Sequence, residues 1–172
     1  DDQNSGPIPI GFDFPFYGNT FGEIHVNTNG WLSFTNDMGG GSGSWSNAPI
    51  PTGGTSKPEN MLAPFWDDLH FRYEERATYY NDGTRFIVQY TDVERLSSYP
   101  TASYLTFQII LYPDGTVRYQ YLSVEGVLDS ASVGMQDETR TIGLEVAYNE
   151  PYLHDELAIE FTRVPDWLLM DP

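Results

Sequence analysis

The chain has 172 residues, no cysteine, and 8 lysine and arginine residues against 25 aspartate and glutamate residues, which gives a net charge of −17 at pH 7. The length suits one domain with its own core, and the absence of cysteine excludes a disulfide scaffold. The negative charge argues against binding to nucleic acid or to an anionic membrane, since nothing would offset the repulsion from phosphate groups. No apolar run approaches the roughly 18 residues that a membrane span needs, so no membrane insertion is expected.

The balance of residue types indicates an extracellular setting. Lys57 is the only lysine, and the chain holds 16 glycine and 12 tyrosine residues. An acidic, lysine-poor composition of this kind favours a secreted or cell-surface protein over a cytosolic enzyme. The first residue is aspartate and no signal peptide precedes it, so we expect a mature or excised piece of a longer protein.

The first predicted hairpin is followed by a long loop. Asn29-Gly30 is a hairpin turn sequence between two strand-like runs. Residues 36–60 are rich in glycine and proline and are predicted to form a flexible loop. Trp45 lies in the middle of this loop. It either folds back on the sheet or contacts a ligand, because tryptophan is a favoured contact residue, and we keep it as a candidate ligand-binding residue.

A polar cluster follows the apolar segment 62–66, which is predicted to lie in the core. Asp67 and Asp68 are adjacent, so on an extended segment their side chains point to opposite faces and cannot act together as an acid–base pair. They either make structural hydrogen bonds or contribute oxygen ligands to a Ca²⁺ ion. Both residues are therefore candidate metal ligands, and calcium is a candidate structural ion. No other cofactor is expected.

The second half of the chain shows alternation of apolar and polar residues with a period of two, as in antiparallel sheets. Asp-Gly turns join consecutive runs at Asn81-Asp82-Gly83 and at Pro113-Asp114-Gly115. Helical periodicity is nearly absent. We predict an all-β, antiparallel β-sandwich resembling a jelly roll, with one domain over residues 1–163. Residues 164–172 are predicted to form a linker-like tail that leads to a following domain.

No constellation of residues indicates catalysis. The chain has no cysteine nucleophile and no Gly-x-Ser-x-Gly motif, and its three histidines do not have zinc-ligand spacing. We therefore predict that the protein is not an enzyme. The many tyrosines either pack half-buried sheet faces or form an exposed row that binds sugar rings or a protein.

Several motifs in order along the chain resemble a known family. They are Ile10–Gly18, Ile24–Phe34, Leu62–Asp68, Phe107–Leu111 and Ser132–Met135. Over roughly residues 8–163 the chain resembles an extracellular β-sandwich module of large secreted bacterial proteins and, more distantly, the nidogen-type (NIDO) domain. The resemblance implies a non-enzymatic module and supplies no catalytic residues. Proteins that it resembles also carry sequence before the position of Asp1, and if that stretch forms a strand, this piece has an open sheet edge to which a strand of another chain could add.

Three functions are compatible with these features. The preferred one is a binding or adhesion module that contacts protein or carbohydrate at the cell surface or in the matrix. The second is a self-assembling or spacer unit of an extracellular filament or stalk, which would associate through an open sheet edge. The third is a Ca²⁺-dependent carbohydrate-binding accessory domain of a secreted hydrolase or peptidase.

Overall fold

The computed structural model describes residues 2–35, 45–54, 56–71, 76–96 and 103–164, and within these ranges the chain forms twelve strands in two antiparallel sheets. In chain order the strands are β1 (Ile8–Phe16), β2 (Asn19–Asn27), β3 (Trp31–Ser33), β4 (Met61–Trp66), β5 (Leu69–His70), β6 (Arg76–Asn81), β7 (Phe86–Arg95), β8 (Tyr104–Leu111), β9 (Val117–Val124), β10 (Ser132–Gln136), β11 (Gly143–Tyr148) and β12 (Ala158–Phe161). The two sheets confirm the predicted all-β sandwich.

Most neighbouring strands are also neighbours in sequence. The first sheet has the order β1-β2-β3-β4-β10-β11, and the second has the order β12-β9-β8-β7-β5. Strand β6 pairs with β7 from Arg76 to Asn81, whereas β5 pairs with the end of β7 at Glu94 and Arg95. Strand β8 pairs with one edge of β7. Strands β5 and β6 therefore both pair with the other edge of β7, where they lie end to end.

The alternation in the sequence predicts which face of β7, β8, β9 and β12 is buried. In β8 the residues 105, 107, 109 and 111 are fully buried, whereas Thr106 and Gln108 are half-buried. Strands β7 and β9 follow the same rule, with Phe86, Val88 and Val117 in the core. The main core therefore lies between the two sheets, where the apolar faces meet.

Three buried tyrosines of the second sheet join the two sheets by hydrogen bonds. The hydroxyls of Tyr90, Tyr119 and Tyr121 donate to the backbone carbonyls of Asn27 (2.6 Å), Gly134 (2.8 Å) and Pro64 (2.7 Å). Burial raises the pKa of each of these hydroxyls well above the ordinary tyrosine value. They consequently remain protonated donors, and each bond satisfies a hydroxyl that burial has removed from water.

A second apolar cluster lies on the outer face of the first sheet. The segment 45–54 packs there, and Ile50 is buried against Trp31, Met61, Ala63 and Trp66. Hydrogen bonds hold this segment in place, including Ile50 N to Glu145 Oε2 at 2.6 Å and Thr52 N to Gln136 Oε1 at 2.9 Å. The described part of the long loop thus covers the first sheet. Residues 36–44, Thr55 and the tail from Pro165 onward lie outside the described residues.

The three predicted turns connect strands as expected. Asn29-Gly30 joins β2 to β3, Asn81-Asp82-Gly83 joins β6 to β7, and Pro113-Asp114-Gly115 joins β8 to β9. Gly30 has a φ of +73°, and a Cβ atom there would lie 1.9 Å from the carbonyl oxygen of Phe65. Only glycine fits this position, because both the backbone conformation and the space exclude a side chain.

We expect Gly30→Ala to lower the free energy of unfolding by about 3 kcal/mol. The added Cβ atom would strain the backbone and would also clash with the carbonyl oxygen of Phe65. Denaturant unfolding of the purified chain measures the effect. Gly22→Ala in β2 is the matched control, because a Cβ atom there meets nothing within 4 Å. Equal stability of the two variants would contradict the steric argument.

Candidate functional site

The outer face of the second sheet carries a row of three glutamines on neighbouring strands. Gln89 of β7 pairs with Gln108 of β8, which pairs with Gln120 of β9. Adjacent strands are roughly 4.8 Å apart, so the three amides form a row at right angles to the strands. We call Gln89, Gln108 and Gln120 the amide row. Their neighbours in each strand point into the core, which directs the glutamines outward.

Hydrogen bonds fix the orientation of part of the amide row. Gln108 Nε2 donates to Gln89 Oε1 at 2.6 Å, and Gln89 Nε2 donates to Thr91 Oγ1 at 2.9 Å. These two hydrogen bonds leave Gln108 Oε1 available to accept a hydrogen bond from a ligand. The amide of Gln120 has no hydrogen-bond partner among the described residues, so its donor and acceptor remain available to a ligand.

The amide row forms the floor of a surface groove of about 330 Å³. Thr106 and Glu156 add polar atoms to the groove, while Leu122, Leu157 and Ala158 add apolar surface. The side chain of Leu122 is 70% exposed, so it stands clear of the sheet. The groove therefore offers hydrogen bonds and apolar contact to the same ligand.

Beside the groove, the charged groups neutralise each other. Arg118 Nε donates to Glu160 Oε2 at 2.8 Å, and the Arg118 guanidinium lies 5.5 Å from the centre of the Tyr112 ring. The amides of the row are uncharged. Arg118 and Glu160 are thus paired, whereas Glu156 in the groove lining adds a negative charge, in keeping with the charge of −17 of the whole chain.

The structure places Asp67 in a buried network. Its carboxylate pairs with Arg95 and accepts a hydrogen bond of 2.5 Å from the hydroxyl of Ser130. Asp68 is half-buried, and its pKa is raised by burial and by repulsion from Asp2 and Asp67. Among the described residues, no group of three or more His, Asp or Glu side chains is arranged to hold a metal ion. Calcium binding at Asp67 and Asp68 stays a prediction.

Trp45 lies at the start of the segment that covers the first sheet and is 38% exposed. Two residues later, Asn47 Nδ2 donates to the carbonyl of Ser130 at 2.6 Å. Ser130 thus connects the Trp45 segment with Asp67. Because the segment covers the first sheet, Trp45 and the amide row belong to opposite sides of the sandwich. A ligand contact at Trp45 stays a prediction.

A larger cleft of about 670 Å³ opens at one end of the sandwich. It lies between the β1–β2 turn, the β10–β11 turn and the end of β12, and Ile142 and Leu144 are exposed there. Its lining is mainly apolar. Polar residues such as Asn19, Thr20 and Thr162 also line the cleft, but its lining holds no amide row like that of the groove.

The sequence analysis did not single out the amide row as a site. One signal could have found part of it, since Gln108 and Gln120 are equally distant from Asp114 at the centre of the β8–β9 turn. A hairpin register that is symmetric about the turn places two such residues opposite each other. Gln89 carries no comparable signal, because its pairing depends on a register shift between Tyr90 and Val93.

We expect Asp67→Ala to lower the free energy of unfolding by about 3 kcal/mol, because it leaves the mostly buried Arg95 without its carboxylate. Glu160→Ala is the control, since it removes a carboxylate from an ion pair of Arg118 that is far more exposed. That change should cost less than about 1 kcal/mol. Denaturant unfolding compares the two variants, and similar losses would contradict the assignment of Asp67 as a buried structural partner.

If Ca²⁺ binds at Asp68, the cation relieves the repulsion that raises the pKa of this carboxyl group. Millimolar Ca²⁺ should then raise the thermal unfolding temperature by several degrees, and a chelator should reverse the effect. Asp68→Asn should abolish the response, whereas Asp114→Asn in an exposed turn should retain it. Unfolding curves that coincide with and without Ca²⁺ would show that the calcium prediction is wrong.

Comparison with known families agrees with this architecture. The family model described as NIDO related matches residues 1–163. No solved structure gives a significant match to the chain. Within the described residues, no helix has the length and apolar character needed to cross a membrane. The match covers nearly the whole chain and confirms the resemblance inferred from the motifs, and the protein belongs to the NIDO-related family, whose members are typically extracellular, non-enzymatic modules.

Proposed function

We propose that the protein is a non-catalytic binding module of an extracellular protein and that it binds neutral glycans on the outer face of the second sheet. The observation that carries the proposal is the amide row at the floor of an open groove. Membership of the NIDO-related family supports the extracellular, non-enzymatic part of this function.

The chemistry of the groove suits a carbohydrate. The amide of Gln120 and the oxygen of Gln108 offer donors and acceptors that match the hydroxyl groups along a sugar chain. Gln108 is oriented by its bond to Gln89, so less side-chain entropy is lost on binding. The exposed Leu122 can pack against the apolar face of a sugar ring. The spacing of the strands is of the order of one sugar ring, so successive amides can contact successive units.

The charge of the protein favours a neutral ligand. With a net charge of −17, the protein repels an anionic polysaccharide at long range. Beside the groove, Arg118 is paired with Glu160 and is not available as an isolated cation. A ligand that carries many hydroxyl groups and no charge avoids the repulsion and uses the amides fully.

The two sheets also differ in accessibility. The segment 45–54 covers the outer face of the first sheet, whereas the groove on the second sheet is open to solvent. A long chain can therefore lie across β7, β8 and β9 without displacing any described part of the protein.

We expect the protein to be retarded in native gels that contain a neutral polysaccharide, tested over a panel of glucans, mannans and galactans. Gln108→Ala combined with Gln120→Ala should weaken binding about tenfold or more, because two or more hydrogen bonds are lost. Gln3→Ala removes an exposed amide outside the groove and serves as the control. Thermal unfolding verifies that the variants remain folded, and calorimetry gives the dissociation constants.

Two results would contradict the proposal. The first is the absence of retardation by every neutral polysaccharide of the panel. The second is equal binding by the double variant and by the Gln3→Ala control. Tighter binding to a polyanionic polysaccharide than to any neutral one would overturn the choice of ligand class.

A further inference from the structure

The sheet edges of the described residues differ in how they are protected against pairing with another chain. Unpaired backbone groups at an edge attract strands, and proteins block them with proline, bulges, charges or a covering segment. Strand β1 contains Pro9 and Pro15 and has a register shift between Pro9 and Phe14. In β11, Glu145 accepts a hydrogen bond from the covering segment at Ile50. Strand β12 is only four residues long and carries the paired Glu160.

Strand β6 has no proline, no bulge and no covering segment among the described residues, and Arg76 at its first position is its one charged residue. It is six residues long, contains no proline or lysine, and pairs with β7 over six consecutive positions without a register shift. Every residue of β6 is exposed, with Tyr79 at 60% and Tyr80 at 62%. Among the described residues, no strand pairs with its outer edge. This edge is therefore a regular template for an added strand.

The inner side of this edge is also open. Ala77 and Tyr79 lie opposite Tyr90 and Val88 of β7, which point into the core. A groove of about 370 Å³ lies beneath them, between β6 and β2, and Ile8, Val26 and Phe71 contribute apolar lining. An added strand would find apolar surface on its inward side as well as backbone partners along its edge.

We propose that β6 pairs antiparallel with β6 of a second copy of this chain, with the two-fold axis at Tyr79. This register keeps the core-facing residues of both copies on one side of a continuous sheet, because residues directly opposite each other share a face. It places each Arg76 opposite Asp82 of the other copy, so two pairs of opposite charge flank the axis. The Asp82 carboxylate already forms an ion pair with Arg85 of its own chain at 2.9 Å and accepts a hydrogen bond from the Thr84 hydroxyl, so Arg76 of the other copy would be a second cation beside it.

The two neighbouring registers that also keep the core-facing residues on one side of the sheet do not place Arg76 opposite Asp82. Moving the axis to Thr78 places Arg76 opposite Tyr80, and moving it to Tyr80 places Thr78 opposite Asp82. The register centred on Tyr79 is therefore selected by charge. Each copy uses the same surface, so the assembly closes as a dimer and does not extend into a filament. The proposal does not depend on glycan binding.

Sedimentation equilibrium of the purified chain over a wide concentration range tests the proposal. The buffer should contain moderate salt, because two chains of charge −17 repel each other over long distances at low ionic strength. We expect a reversible monomer–dimer equilibrium. Tyr79→Lys should raise the dissociation constant about tenfold or more, because two lysines then meet at the axis. Arg76→Asp should weaken the dimer as well, since it places two aspartates opposite each other.

Leu144→Lys is the matched control. Leu144 lies on the β11 edge and is 54% exposed, and its replacement changes the charge by the same amount. This variant should dimerise as the unaltered chain does, and thermal unfolding at low concentration verifies that all variants are folded. A monomer at every concentration would overturn the proposal. So would a dimer that resists Tyr79→Lys, or one that Leu144→Lys disrupts equally.

Discussion

The structure depends on hydrogen bonds that cross the core between its two sheets. Tyr90, Tyr119 and Tyr121 each bring a large ring into the interior and bond a backbone carbonyl of the opposite sheet. A phenylalanine would fill the same space but would leave that carbonyl without this donor, at a cost typical of a buried unsatisfied group. Because the three carbonyls lie near β2, β4 and β10, the bonds fix how the sheets slide and rotate against each other. The position of every outward-facing residue follows from that alignment.

Period-two alternation, together with the turns, was sufficient to predict the sandwich and the buried faces of β7, β8, β9 and β12, because it records which side of a strand water reaches. It could not predict which carbonyl each tyrosine would bond, since Tyr90 and Asn27 are far apart in sequence. The covering role of Ile50 was also hidden, because it lies in a segment whose glycine and proline content is typical of a surface loop.

The candidate site was predictable only where it depends on local geometry. The β8–β9 turn alone places Gln108 opposite Gln120, but the addition of Gln89 requires the irregular pairing of β7 with β8. The adjacency of Asp67 and Asp68 was visible and attracted a metal-binding hypothesis. Their environments differ for a non-local reason, since Arg95 pairs with Asp67 from a distant strand. Charged side chains are often assigned to function from sequence because their structural partners are not visible there.

The covered first sheet has a consequence for how such modules would act together. Since the segment 45–54 covers the first sheet, a module that binds glycans as proposed would use the outer face of its second sheet. In the dimer through β6, the second sheets join into one surface and both grooves face the same direction. Two weak sites would then engage one polymer at the same time, and the second contact would form at a high effective concentration. A module with modest affinity could in this way adhere firmly to a repetitive surface and ignore short soluble fragments of it.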